Sequence, residues 1–292
     1  MKKEVKSSRF ENKKTFTLSG LLILSFSFLT TIFLGILVSQ RLYRLFLIQE
    51  EKIVPVSLWQ FLLQSLIGLS LILAIFFLGQ RFKGGKRFLL KGLFLISTGL
   101  GSLIALEVFM GDIAFFLVLI LIFLWLKKPC VFFQDFLVVL GIAGAGSFLG
   151  IRLTPETVVF LLVLFSIYDY LAVFKTRHMV KMAREMVKQG AILGLILPQR
   201  FIDLKTPLKE VKPGERFFIL GGGDIAFPLL LCSSLATESS WQAVIIGLFS
   251  LIGLWISFAI FFNQSSENRR AIPALPPIAL FSLIGFLVVL LI

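Results

Sequence analysis

Three carboxylic acids stand inside long apolar stretches of this 292-residue chain: Asp135 in Val131–Ile151, Asp169 in Thr157–Phe174 and Asp224 in Phe217–Ala236. An ionisable side chain at the centre of a membrane span costs roughly 2.5–3.5 kcal/mol or more, so each acid is a functional candidate. Position sets two of them apart. Asp169 lies six residues before Lys175, and Asp224 lies seven residues after Phe217. Taken as helices running in opposite senses, the two segments carry their acids about 9–11 Å below the same membrane surface. Two carboxyls at one depth in a low-dielectric site cannot both ionise easily, so one keeps its proton while the other stays charged. In that state one takes a proton from water and the other protonates a carbonyl oxygen, which is the acid/base chemistry of peptide hydrolysis. Two acids alone also fit a hydrogen bond that glues helices, or a proton relay.

The neighbouring residues bear on that choice. Asp224 follows Gly221-Gly222-Gly223. Glycine weakens a helix by about 1 kcal/mol relative to alanine, and it admits another backbone at close range. An extended peptide substrate needs such access, and so does plain helix packing through small residues. Asp169 is flanked by Tyr168 and Tyr170. Tyr168 is placed either to donate to a carboxylate or to lie at the membrane interface. The last apolar run opens with Ile272-Pro273-Ala274-Leu275-Pro276-Pro277. Three prolines delay the helix and leave extended backbone on the side of the two acids. Such backbone is tolerated at membrane depth where it is covered by protein or lines a wet cavity. Asp135 lies at a comparable depth, so depth does not exclude it. Gly141, Gly144, Gly146 and Gly150 further along its segment read as close helix packing.

These residues must be positioned by spans. Apolar residues make up 58% of the chain before its 23 glycines are counted, charged residues only 15%, and mean hydropathy is +0.97. A water-soluble globule cannot hide so much apolar surface. The expected class is therefore an all-α polytopic membrane protein. Nine spans are expected: Thr15–Gln40, Ile53–Gln80, Phe88–Leu106, Ile113–Leu126, Val131–Ile151, Thr157–Phe174, Phe217–Ala236, Ser239–Ser266 and Ala271–Ile292. The first is too long for a signal-peptide core and reads as a transmembrane helix. With the N-terminus in the cytoplasm, 25 of the 29 Lys and Arg fall on the inner side and four outside. The net charge of +13 thus reflects orientation, with lipid rather than nucleic acid as the neighbour. The spans divide into 1–156, with helices one to five, and 157–292, the expected catalytic core, with helices six to nine and a cytoplasmic loop 175–216. In that loop, Lys175–Lys188 reads as a basic helix, either resting on anionic lipid or solvated. Ala191–Leu197 is apolar and suited to the interface, and the stretch around Pro207 and Pro213 reads as flexible loop. Cys130 and Cys232 have neither metal-ligand spacing nor redox meaning.

Tyr168-Asp169, Gly221-Gly222-Gly223-Asp224 and Pro273-Ala274-Leu275, in this order and on spans six, seven and nine, resemble the presenilin and signal peptide peptidase family of intramembrane aspartyl proteases. The resemblance is closest to its prokaryotic members, whose pattern is also similar to the run from Tyr168 to Met182. It extends from about Ile53 to the end of the chain. It implies Asp169 and Asp224 as the catalytic pair, supported by Tyr168, Gly221, Gly223, Pro273, Ala274 and Leu275. It implies no cofactor and no metal, and an integral protein of a prokaryotic cell membrane. It further implies transmembrane segments or remnant signal peptides as substrates, no nucleic-acid partner and no obligatory partner subunit. Gly222 departs from the family, which more often carries a larger apolar residue there, and this bears on substrate preference. The long hydrophilic insert of eukaryotic presenilins is absent, so self-cleavage is not implied. The resemblance assigns no catalytic role to Asp135, which is expected to be auxiliary, nor to His178, read as a surface residue beyond the membrane end.

Other functions compete. An ion- or proton-coupled transporter would use the acids as a relay, but two acids on one side of the bilayer suit that poorly. Prepilin-type peptidases share a Gly-x-Gly-Asp element, yet often carry a Cys-x-x-Cys pair and have a different context for the first Asp; neither occurs here. A non-catalytic scaffold is the fourth reading.

Overall fold

The computed structural model describes residues 2–50, 54–79, 85–175, 186–190, 192–212, 216–264 and 271–292. His178, Pro213 and most of the expected basic helix lie outside the described residues. Among the described residues the chain is mainly helical. In chain order the helices are α1 Lys2–Ile48, α2 Leu58–Gly79, α3 Gly85–Met110, α4 Ile113–Lys127, α5 Val131–Gly150, α6 Pro155–Tyr170, α7 Gly222–Ala236, α8 Ser240–Phe262 and α9 Leu275–Leu291. By length and composition five helical segments can cross a membrane: Ser19–Ile48, Phe88–Met110, Val131–Gly150, Pro155–Lys175 and Ser240–Phe261. The apolar parts of α2, α4, α7 and α9 are shorter.

Local residue chemistry explains several boundaries. Thr154 caps α6 by accepting from the Thr157 N–H at 3.4 Å, with Pro155 at the first helical position. Gly111, at φ +56°, makes the tight turn between α3 and α4 that a side chain would strain. Along the helices, large apolar side chains point outward, Phe26, Leu66 and Phe116 among them. Such a surface suits hydrocarbon rather than water. The interior is held instead by small and hydroxylated residues. Ser147 Oγ donates to Gly35 O at 2.6 Å, Ser250 and Ser282 share a hydrogen bond of 2.7 Å, and Trp255 Nε1 donates to Ser25 Oγ at 2.8 Å.

Helix α5 occupies the centre, packed on α1, α3 and α7. Its glycines do what their spacing suggests. A Cβ at Gly144 would lie 1.8 Å from Gly101 O, and one at Gly150 would lie 2.3 Å from Ser233 Cβ. On the other side α9 packs on α8, α6 and α7, with Gly253 admitting the backbone of Pro277 and Ile278.

The structure corrects three expectations. Phe217–Ala236 is not one helix: Phe217–Gly221 is a strand, β2, and α7 starts at Gly222. The apolar stretch expected at the interface is covered by protein from residue 194 on, where Gly194–Pro198 forms a second strand, β1, all of whose residues are buried. The two pair antiparallel with Gly194 opposite Gly221 and Pro198 opposite Phe217. The stretch around Pro207 is ordered, with 3₁₀ turns at Phe201–Lys205 and Leu208–Glu210. It is tied to the start of α5, since Leu208 N–H donates to Pro129 O at 2.9 Å and Val131 N–H to Thr206 O at 3.1 Å. Leu208 supplies a buried anchor.

Candidate active site

Helices α6 and α7 pack together, and the rings of Phe165 and Phe227 stack between them with centroids 4.5 Å apart at 29°. Phe165 precedes Asp169 by one turn on α6, and Phe227 follows Asp224 by three residues on α7. Residues at those spacings share a helix face. The ring pair therefore fixes the two acids on facing surfaces. Both are buried, at 5% and 8% exposure. Asp169 is the last residue but one of the regular helix, and after Tyr170 the chain continues as a π turn over Leu171–Lys175. Such turns are frequent at functional sites.

Each carboxyl is held by one backbone N–H, and the sequence explains why those N–H groups are available. Leu275 N–H donates to Asp169 Oδ2 at 3.2 Å. Leu275 opens α9 and is followed by Pro276 and Pro277, which have no N–H. Its own N–H is one of the few orphan donors left in that turn. The Pro273-Ala274-Leu275 segment is in turn anchored to α8, because Ser257 Oγ donates to Ala274 O at 3.1 Å. Pro273 and Leu275 are buried.

Asp224 takes its hydrogen bond from Gly221 N–H. Gly221 caps α7 and Asp224 is the third residue inside it. A side chain there that reaches back to the cap N–H is half of a capping box. A Cβ at Gly221 would lie 3.1 Å from Asp224 Oδ2, a tight contact that the carboxyl would have to relieve by shifting a few tenths of an ångström. At Gly223 the nearest atom would be Phe227 Cε2 at 3.6 Å, an ordinary contact. Gly221→Ala is expected to displace the Asp224 carboxyl and lower kcat about ten-fold, equivalent to roughly 1.4 kcal/mol. Gly223→Ala should cost clearly less, and side-by-side turnover measurements of the two variants check the difference.

The β hairpin feeds α7. Gly222 N–H donates to Leu193 O at 3.1 Å, and Gln199 N–H donates to Arg216 O at 3.0 Å at the other end. Antiparallel strands alternate between paired and outward groups. Odd-numbered residues of β1 therefore bond to β2, while Gly194, Ile196 and Pro198 turn their backbone groups away. Pro198 accordingly removes no ladder bond. Gly194 is needed because a Cβ there would lie 2.3 Å from Leu220 O.

Of the residues expected to form the site, Asp169, Asp224, Gly221 and Leu275 are brought together. Tyr168 is not: its ring is 58% exposed, and among the described residues it makes no hydrogen bond to either carboxyl. Asp135 bonds elsewhere, with Oδ1 accepting from Ile196 N–H at 2.7 Å. Sequence reasoning missed the hairpin and its support by Gln134 and Asp135. The signal was two five-residue apolar runs bounded by Gly or Pro, Gly194–Pro198 and Phe217–Gly221. Such runs are short for helices and the right length for strands.

The fold thus brings two buried acids onto facing helices inside an apolar bundle. The pattern of the family described as signal-peptide peptidase, presenilin aspartyl protease, matches residues 88–292. Two solved structures resemble this one over 91% of its length. Both are of a presenilin family intramembrane aspartate protease. The first, in space group C222, has 24% identity and a TM-score of 0.58 and is covered over 97% of its chain. The second, in space group P2, has 25% identity and a TM-score of 0.57 and is covered over 96%. No curated protein matches the chain. The chain belongs to the signal-peptide peptidase and presenilin aspartyl protease family. It is an integral membrane protein and an intramembrane-cleaving aspartic endopeptidase.

Proposed function

We propose that Asp169 and Asp224 are the general acid/base pair of this protease and that it cuts peptide bonds within transmembrane helices. The observation that carries this reading is the placement of two buried carboxyls on facing helices, fixed by the stacked rings of Phe165 and Phe227. The ionised member takes a proton from water, whose oxygen attacks the scissile carbonyl carbon. The protonated member gives its proton to the carbonyl oxygen. The tetrahedral intermediate then collapses as a proton passes to the leaving nitrogen and the C–N bond breaks. In this reading residues 157–292 hold the catalytic core and 1–156 support it. Nine spans with a cytoplasmic N-terminus in a prokaryotic cell membrane place the pair toward the inner surface. No cofactor, metal, nucleic acid or obligatory partner subunit enters the scheme.

A helical substrate hides its carbonyls in i→i−4 bonds and must unwind first. The hairpin offers an extended template: the outer edge of β1 is met by α5, whereas Ile219 of β2, two residues before the Gly221 that contacts Asp224, turns its backbone groups away from β1. An unwound segment adds there as a strand. Substrates are transmembrane segments or remnant signal peptides with their N-terminus outside, and those with Gly, Pro or β-branched residues near the inner end are cut fastest. The test uses purified protein in bilayers with one span presented in both orientations, and mass spectrometry of the products. Cuts confined to the inner third of the N-out substrate are expected. Equal cleavage of both orientations, or cuts in the outer third, would refute the orientation.

A further inference from the structure

The third intramembrane acid is left unused by the mechanism above, yet it is half-buried and bonded at a specific place. Asp135 lies in the second turn of α5, and its Oδ1 accepts from Ile196 N–H. Its neighbour Gln134 donates from Nε2 to Ile192 O at 2.5 Å, and Gln134 Oε1 accepts from Trp125 Nε1 of α4 at 2.9 Å. Gln134 and Trp125 are almost wholly buried. Ile192 and Ile196 are outward-facing positions of the β1 segment. Without α5 this strand edge would bury an unpaired N–H and an unpaired carbonyl, which native proteins avoid.

The two contacts bracket Leu193, whose carbonyl accepts the Gly222 N–H at the start of α7. The preceding N–H, of Gly221, holds the Asp224 carboxyl. A continuous run of hydrogen bonds therefore leads from α4 through α5 and β1 to Asp224.

We infer that Asp135 is a positioning residue: as the edge partner of β1 it fixes the hairpin, and through the hairpin the carboxyl of Asp224. The role rests on the reading of Asp224 as catalytic, but it needs only an acceptor at residue 135, neither a charge nor a proton. That requirement separates it from a third catalytic acid. Asparagine keeps the acceptor, and leucine removes it. The same bond can be cut from its other end. Ile196 N–H takes no part in the ladder with β2, so Ile196→Pro removes the donor to Asp135, while Ile196→Ala removes side chain and keeps the donor.

The experiment compares full-length Asp135→Asn, Asp135→Leu, Ile196→Pro, Ile196→Ala and Asp224→Asn in bilayers, below the melting temperature of each. It reads kcat on a single-span substrate across pH, together with amide hydrogen exchange of the hairpin. Asp135→Asn is expected to keep kcat within about three-fold of wild type and both limbs of the pH profile. Asp135→Leu and Ile196→Pro should each lower kcat at least about ten-fold and speed exchange over 194–198 and 217–222. A variant that combines Asp135→Leu with Ile196→Pro should be no worse than the poorer single one, because both cut one bond. Ile196→Ala should fall short of Ile196→Pro. If Asp135→Leu does not fold, the Ile196 pair tests the same bond. The inference is overturned if folded Asp135→Asn is as inactive as Asp224→Asn or loses a pH limb. It is equally overturned if Asp135→Leu or Ile196→Pro keeps wild-type kcat and exchange. Activity retained by Asp224→Asn would instead sink the dyad, and the exchange data would still report whether Asp135 holds β1.

Discussion

Asp169→Asn and Asp224→Asn are each expected to abolish cleavage while leaving the fold intact. Asparagine matches aspartate in shape, and its oxygen still accepts from Leu275 N–H or Gly221 N–H. What it cannot do is exchange a proton with water or with the scissile carbonyl. Positioned acid/base catalysis contributes on the order of 10²–10⁴ in rate, and a pair that works as a unit is lost when either member is lost. Turnover should therefore fall at least about 10³-fold in both variants, and the double variant should be no worse. Thermal melting in detergent should match wild type. Single-turnover cleavage followed by mass spectrometry is the measurement. Retained cleavage in either variant would show that the pair is misassigned.

The largest effect on stability is expected at Gly144→Ala. The added Cβ would lie 1.8 Å from Gly101 O and 2.8 Å from Ala105 N. Both are backbone atoms of α3, so no rotamer change relieves the contact and the two helices must part. Overpacking a tight contact typically costs about 1–3 kcal/mol, occasionally more, and separation also strains the hydrogen bond of 3.4 Å from Ser102 Oγ to Leu137 O. At Gly20 nothing lies within 4 Å, and alanine is the better helix former by up to about 1 kcal/mol. Gly144→Ala should melt well below wild type, and Gly20→Ala at or above it. Because α5 carries Gln134 and Asp135, Gly144→Ala should also loosen the hairpin. Equal melting temperatures for the two variants would refute the close α3–α5 contact.

Much of the site was legible in the residues. Carboxyls in apolar runs are too costly to be incidental, so Asp135, Asp169 and Asp224 stood out at once. The Pro run after Leu275 announced a late helix start, and the glycines of α5 announced close packing. The matched depth of Asp169 and Asp224, however, presumes a helix that begins at Phe217. It begins at Gly222, and Asp224 sits in its first turn. The facing placement is secured instead by Phe165 against Phe227. The reason for the error is general: a five-residue apolar run has no period that separates strand from buried helix.

The sequence by itself determined that this chain belongs in a bilayer, which segments are apolar enough to lie there, and which three acids needed an explanation. These are properties of composition and order along the chain, and they follow from the cost of placing polar groups in hydrocarbon. Tertiary structure alone decided which groups each acid meets. Gly194–Pro198 and Phe217–Gly221 are separated by residues 199–216, and neither forms a stable strand without the other. Their pairing places Gly221 where its N–H meets Asp224, and the edge it leaves on β1 is what engages Asp135. A carboxyl has the same chemistry wherever it stands in a sequence. Which N–H it meets, and whether a second carboxyl faces it, depend on contacts between residues far apart in the chain, and local residue pattern carries no record of those contacts.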